Sequence, residues 1–376
     1  MGRSLKPMAR ILGDGPPPRF SFAITDLSFH DKGVYIGGMT TFVRSASLGN
    51  YTEVARRHGL DPQAMLREAK LDPAFLTNPD LRIPTSSVVR LLEESARQSR
   101  CPTFGLEMAE SWRLSDFGAI SLLLTHQRTL RDAIAATIRY RHLLNDALSL
   151  AIEDAGALVI VREELVGTQA ARSRQAIELA IGVVFRMVRA LLGPAWNPRR
   201  VQFTHAAPAD LRVHRRVFGP NVEFGGDFNG IVCDAADVDR PIPAADAAMA
   251  EHARRLVDSL PGARREGFVD DVRRSIYMLL PHGRASVEGV SRAVGSNPRA
   301  LQRKLEQSGD SFSALLDEAR RGLVMRYLGN PAYSITHIGE LLGYNYPSSF
   351  TRWFAAEYGM SPAAWRKREA RKTRKP

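Results

Sequence analysis

Seven side chains in the last quarter of the chain have the types and spacing to read DNA. Arg299, Gln302 and Arg303 fall within five residues, and Ser348, Ser349, Thr351 and Arg352 within another five. An arginine can grip the O6 and N7 of guanine with two hydrogen bonds, and a glutamine can do the same to adenine. Short hydroxyl side chains let a backbone approach phosphate closely. Such use requires each set to lie on one exposed helix face. Leu301 and Leu305 stand four apart and must point inward, which turns Arg299, Gln302 and Arg303 outward. Phe350 and Phe354 do the same for the second set, where Arg352 is the expected base reader.

The elements that position these residues occur twice, about fifty residues apart. Ser286 caps a helix carrying Val287, Val290 and Val294; Gly295 turns the chain; Asn297 and Pro298 start the next helix. Ser334, then Ile335, Ile338 and Leu342, then Gly343, Asn345 and Pro347 repeat those steps. Each copy is a helix-turn-helix whose second helix fits a major groove ~12 Å wide. Between them, Phe312, Leu315, Leu316, Leu323 and Leu328 keep helical spacing. They predict a joint of roughly 25 Å at 1.5 Å per residue. A rigid joint of that kind can hold two recognition helices about one DNA turn, ~34 Å, apart. No useful strand is expected between residues 268 and 368, and Trp353 and Trp365 are expected to pack rather than stack on bases.

Charge agrees with this placement. The 376 residues carry a net +12, and residues 264–376 hold 20 Lys+Arg against 11 Asp+Glu, so the basic excess lies in the C-terminal third. Composition of 44% hydrophobic and 24% charged residues excludes a disordered chain. No apolar run approaches the ~18 residues that span a bilayer, so no membrane insertion is expected. Two cysteines, Cys101 and Cys233, can build neither a disulfide framework nor a four-ligand zinc site, and a reducing cytoplasm is the expected location. His-Glu-x-x-His, Cys-x-x-Cys, Gly-x-Ser-x-Gly, a phosphate-cradling loop and a dinucleotide fingerprint are all absent from the sequence. No metal, cofactor or enzymatic activity is expected.

Upstream, residues 1–38 carry Pro16, Pro17 and Pro18 and no sustained period. They read equally as a disordered arm or as a misassigned start ahead of Met39. Residues 39–243 read as one α+β domain: helices over 54–58, 61–70, 85–97, 114–124 and 129–144, a hairpin of 147–152 and 157–163 around a four-residue turn at 153–156, a helix over 172–192, and strands at 200–204, 222–224 and 230–233. The segment 52–67 mimics a third helix-turn-helix but lacks its charge pattern and is assigned to this domain. Residues 244–264 are expected as a linker, 265–368 as an all-α DNA-binding domain with the two units joined by a long helix, and 369–376 as a basic tail. His126, Arg139 and His142 are the expected groups around a pocket for an anionic effector.

The run from Gly295 through Asn297, Pro298, Arg299 and Leu301 to Leu305, then Ala319 to Leu323, Ile335 to Tyr344, Phe350 to Phe354 and Gly359 to Pro362 and Arg366 resembles the DNA-binding domain of AraC/XylS-type transcriptional regulators. Ser291 and Gly339 stand where that family usually has a small alanine. Residues 51–243 resemble, more loosely, the arabinose-binding-like sensor domain of one branch, through Gly59 to Pro62, Arg82 to Pro84, Phe104 to Leu106, Thr129 to Ala133 and Phe218 to Pro220. The resemblance implies a sequence-specific regulator of double-stranded DNA, an activator working with RNA polymerase, paired as a homodimer and controlled by a small-molecule effector. It does not make arabinose the ligand. The competing expectation, from charge alone, is a ligand-independent architectural DNA-binding protein.

Overall fold

In the computed structural model, which describes residues 41–166, 173–263, 267–331 and 333–373, a small antiparallel sheet pairs β1 (Phe42–Arg44) with β2 (Arg82–Pro84). The expected arm, 1–38, lies outside the described residues, as do the last three residues of the basic tail. Around that sheet pack α1 (Tyr51–Arg57), α2 (Pro62–Glu68), α3 (Thr85–Ser99) and α4 (Phe104–Glu110). Asp61 accepts a hydrogen bond from the Gln63 amide and Pro62 fills the first helical position, so α2 starts where those two residue types favour. Val54, Met65 and Leu66 are buried in this first core. The third helix-turn-helix suggested by 52–67 is therefore spent on packing.

A second core follows. It is built from α5 (Ala119–Thr125), α6 (Leu130–Tyr140), β3 (Leu148–Ala155), β4 (Leu158–Leu165), α7 (Arg174–Leu192), β5 (Arg200–Phe203), α8 (Arg212–Phe218), β6 (Val222–Phe224), β7 (Gly230–Asp234) and α9 (Ala235–Asp239). The five strands run in the order β3-β4-β7-β5-β6, antiparallel except for the β5/β6 pair. The stripe Ile177, Ile181, Phe185 and Val188 of α7 shares a core with Val159, Val161, Phe203 and Ile231 of the sheet. Each such burial contributes ~1.5–3 kcal/mol.

Two expectations are corrected here. The hairpin turn has two residues, Gly156 and Ala157, because Ala155 pairs with Leu158. Glu153 and Asp154 read as turn residues, yet β3 is an edge strand whose acids are matched by arginines, Glu153 by Arg162 at 2.9 Å and Asp154 by Arg131 at 2.9 Å. The stretch expected as a linker, 244–264, contains α10 (Ala247–Asp258), capped by Asp246 and burying Ala253 and Val257 in the second core.

The remaining helices are α11 (Phe268–Leu279), α12 (Val287–Ala293), α13 (Pro298–Gln307), α14 (Phe312–Gly329), α15 (Ile335–Leu341), α16 (Pro347–Tyr358) and α17 (Pro362–Thr373). They close over a third core that includes Ile276, Val290, Leu301, Leu305, Leu323, Ile338, Phe350 and Phe354. Ser286, Asn297, Ser311 and Ser334 each accept a hydrogen bond from a first-turn amide, as N-caps do. Gly295 and Gly343 make the two turns at φ +63° and +72°, a conformation side chains rarely adopt. The final helix runs past residue 368 into the expected tail.

Candidate nucleic-acid interface and sensor cavity

Burial of Leu301 and Leu305 leaves Arg299, Gln302 and Arg303 exposed on α13. On α16, Phe350 and Phe354 are buried, Ser348 and Arg352 are exposed, and Ser349 and Thr351 are half-buried. The Thr351 hydroxyl donates to the Pro347 carbonyl at 3.0 Å, so part of its capacity serves its own helix. Among the described residues, Arg299, Arg303 and Arg352 have no acidic partner; three guanidinium groups stand free on the second helices of both units. Their neighbour Lys304 differs, its ammonium lying 4.4 Å from the centre of the Phe268 ring. Sequence reasoning passed over Tyr346, which is 70% exposed at the start of α16. An aromatic residue directly before Pro347 was the available signal.

The two departures from the family pattern are both accommodated. Ser291 is buried and its hydroxyl donates to the Glu288 carbonyl at 3.1 Å. A Cβ at Gly339 would lie 3.3 Å from the Cβ of Phe350, so the glycine lets α15 and α16 approach closely. Trp353 and Trp365 pack against the third core.

A cavity of about 410 Å³ separates the first core from the sheet and α7. Its walls include Val89, Leu92, Leu150, Val184 and Met187. The pleat of β4 puts Glu163 on the same face as Val159, Val161 and Leu165, and so into this cavity. Burial, with a lesser contribution from the neighbouring Glu164, pushes the Glu163 carboxyl up to about 8. Its Oε2 has no hydrogen-bond partner among the described residues.

Glu164 points the other way. Its carboxylate meets Arg326 of α14 at 2.5 Å, and both groups are largely withdrawn from water. Burial opposes the charge on Arg326, but Glu164 and the Tyr327 hydroxyl hold it above its ordinary value. Arg141, in the cavity wall, reaches Asp271 of α11 at 2.7 Å. The Tyr333 hydroxyl donates to the Gly226 carbonyl at 2.7 Å, and His337 of α15 lies 3.7 Å from Asp227. These polar contacts join the α+β fold to the helical module, and Val166 packs against the third core.

The three residues expected around an effector pocket make other contacts. The His126 Nδ1 is 2.9 Å from the Ala244 carbonyl, Arg139 is exposed with its guanidinium 5.3 Å from the Tyr140 ring centre, and the His142 Nε2 is 3.3 Å from the Ala263 carbonyl. Burial draws the His142 ring below its usual range. None of the three lines the cavity, whereas Thr137 and Arg141 do. Those two are four residues apart and share a helical stripe, which carries the residues between them away from the cavity. A second cluster was hidden by sequence distance: His58, Cys101 and Glu107 bring possible ligand atoms within 4.8 Å of one another. His58 meets Glu107 at 2.8 Å, the Cys101 thiol donates to Glu107 at 3.3 Å, and Arg57 stands 3.9 Å from the same carboxylate. These contacts tie α1 to α4.

Paired helix-turn-helix units with exposed arginines on both second helices define a DNA-binding module, carried behind an α+β domain. Residues 59–242 match the arabinose-binding domain of AraC transcription regulator, N-term, and residues 290–368 match a helix-turn-helix domain. The chain is 31% identical to the HTH-type transcriptional regulator VirS of Mycobacterium tuberculosis, over 87% of its own length and 96% of that relative's. It is 24% identical to the ornithine utilization regulator of Pseudomonas aeruginosa, over 84% and 93%, and 28% identical to the transcriptional activator NphR of a Rhodococcus species, over 46% and 56%. The chain belongs to the AraC-type family of helix-turn-helix transcriptional regulators. Among the described residues no helix is long and apolar enough to cross a membrane.

Proposed function

We propose that this regulator reads double-stranded DNA by sequence, with Arg299, Gln302 and Arg303 of α13 in one major groove and Ser348, Ser349, Thr351 and Arg352 of α16 in the next. The carrying observation is the set of exposed, acid-free arginines on both second helices. Their joint, α14, has 18 residues and is therefore about 27 Å long at 1.5 Å per residue. A small molecule in the sensor cavity controls the reading, supported by the Arg141–Asp271 pair and by β4, whose two glutamates face the cavity and α14. Such control requires the ligand to bind two arrangements of the domains unequally. The protein acts in the cytoplasm as an activator, without catalysis, paired as a homodimer and working with RNA polymerase. The family and the similarity to the transcriptional activator NphR support the activator reading. Exposed Leu122 on α5 and Met249 and Leu256 on α10 support the pairing.

Competition binding of the full chain to genomic fragments against random duplexes at fixed salt tests this proposal. A few fragments should outcompete random DNA by ~10³-fold or more. The net charge of +12 favours a second reading, an architectural binder, which predicts steep salt dependence without any preferred fragment.

A further inference from the structure

We propose that the sensor cavity takes a hydrophobic amine, an apolar body with one cationic head that pairs with the Glu163 carboxylate. The inference rests on the reading of this cavity as the effector site. Its volume, about 410 Å³, lies within the ~300–1,000 Å³ of small-molecule pockets. Aliphatic side chains from α3, β3 and α7 supply a surface for a hydrocarbon body.

The head is assigned by what the walls leave unsatisfied. Arg44 and Arg141 line the cavity but are already engaged. Arg44 donates to Asp80 at 2.9 Å and to the Asp116 carbonyl at 2.5 Å, and Arg141 donates to Asp271 at 2.7 Å and to the Ile138 carbonyl at 2.8 Å. At Arg44 and Arg141 an anionic head would have to compete with those acids, and Arg113, the third arginine of the lining, is exposed to water at the rim. Glu163 is the converse case: it is 4% exposed, lies in the cavity wall, and has an oxygen with no hydrogen-bond partner among the described residues. Ser47 and Thr85 line the same cavity, and their hydroxyl oxygens likewise have no partner among the described residues. A buried carboxyl with an unpaired oxygen is a costly arrangement that a ligand can relieve. An ammonium relieves it best, bringing three donors and the opposite charge.

The remaining charged groups around the cavity are Arg113, Glu53 and Asp116, and Glu164 stands next along the strand. Glu164 adds negative charge beside Glu163, which favours a cation there and disfavours an anion. In the empty cavity at neutral pH the raised Glu163 carboxyl holds its proton. An entering ammonium keeps its own proton and expels that of Glu163 to solvent, so binding releases up to one proton per ligand. Affinity for the cation therefore rises with pH until the solution passes about 8 and then levels. Charging Glu163 also alters the field on its neighbour Glu164, whose partner is Arg326 of the joint helix.

Calorimetric titration of the full chain with n-octylamine, octanoate and 1-octanol tests the assignment, since the three share a body and differ in head. Octylamine should bind at least about tenfold more tightly than either of the others, and should tighten by about tenfold per unit as pH rises toward 8. Glu163→Gln, nearly isosteric, should remove most of the amine's advantage and leave octanol unchanged. Octanoate or octanol binding as well as octylamine, absence of saturable octylamine binding, or full amine affinity in Glu163→Gln would each overturn the proposal. The pH profile of the unaltered protein decides it even if the variant does not fold. Fragment competition repeated with octylamine separates the two readings. Amine binding that leaves DNA preference unchanged removes effector control but keeps the ligand class; DNA preference that responds to octanol or octanoate does the reverse.

Discussion

The two helix-turn-helix units share a plan but are held differently. In the first, Ser286 and Asn297 cap both helices, and α13 presents Arg299, Gln302, Arg303 and Lys304 in six residues. In the second, α16 begins at Tyr346 without a side-chain cap, and rings from Tyr344, Phe350, Trp353, Phe354 and Tyr358 pack together around it. That unit also touches the α+β domain directly, through Tyr333 and His337, beside the buried Glu164–Arg326 pair. The contrast separates two tasks. The first unit carries the larger set of exposed charge, and the second is held by ring packing and by polar contacts to the α+β domain.

The largest expected effect strikes the anchor. Glu164→Ala leaves a buried guanidinium without its partner and should cost ~3–5 kcal/mol in denaturant unfolding of the full chain. An unchanged midpoint would mean the second unit is not anchored there. Next is the division of reading. Arg303→Ala should cost ~1–3 kcal/mol at its cognate base and relax preference at that position, as seen by binding to single-substitution operators. Arg352→Ala should produce the smaller loss of the two, because α16 offers one free arginine where α13 offers two. A uniform loss over all sequences would make either residue a phosphate contact. Removing a cap comes third: Asn297→Ala should destabilise by ~1 kcal/mol in thermal unfolding. The smallest change adds one. Tyr346→Asn supplies the cap the second unit lacks and should stabilise by ~0.5 kcal/mol or more; a loss instead would show that the exposed ring is needed for packing.

Much of this arrangement was legible because it rests on local rules. Ser286, Asn297 and Ser334 cap, Gly295 and Gly343 turn, and the spacing of Leu301 with Leu305 and of Phe350 with Phe354 fixes which faces point out. Local rules failed where partners come from far along the chain. Glu153 and Asp154 look like turn residues until Arg162 and Arg131 are seen to match them. The helix at 247–258 is short and bounded by Pro243 and Pro261, so it read as a linker, although Ala253 and Val257 belong to the core. The lining of the cavity was hardest. His126, Arg139 and His142 were chosen for their chemistry, whereas Glu163 was passed over as a strand residue. Its signal was present in the alternation of Val159, Val161, Glu163 and Leu165, which places an acid in phase with the buried face.

Alternation along β4 has a further consequence. Because successive side chains leave a strand on opposite faces, a sliding of this ribbon by one position against its neighbours would exchange the faces of its adjacent acids, turning Glu164 toward the hollow and Glu163 toward Arg326. Keeping the two acids on their separate faces thus depends on the hydrogen-bonded alignment of β4 between β3 and β7.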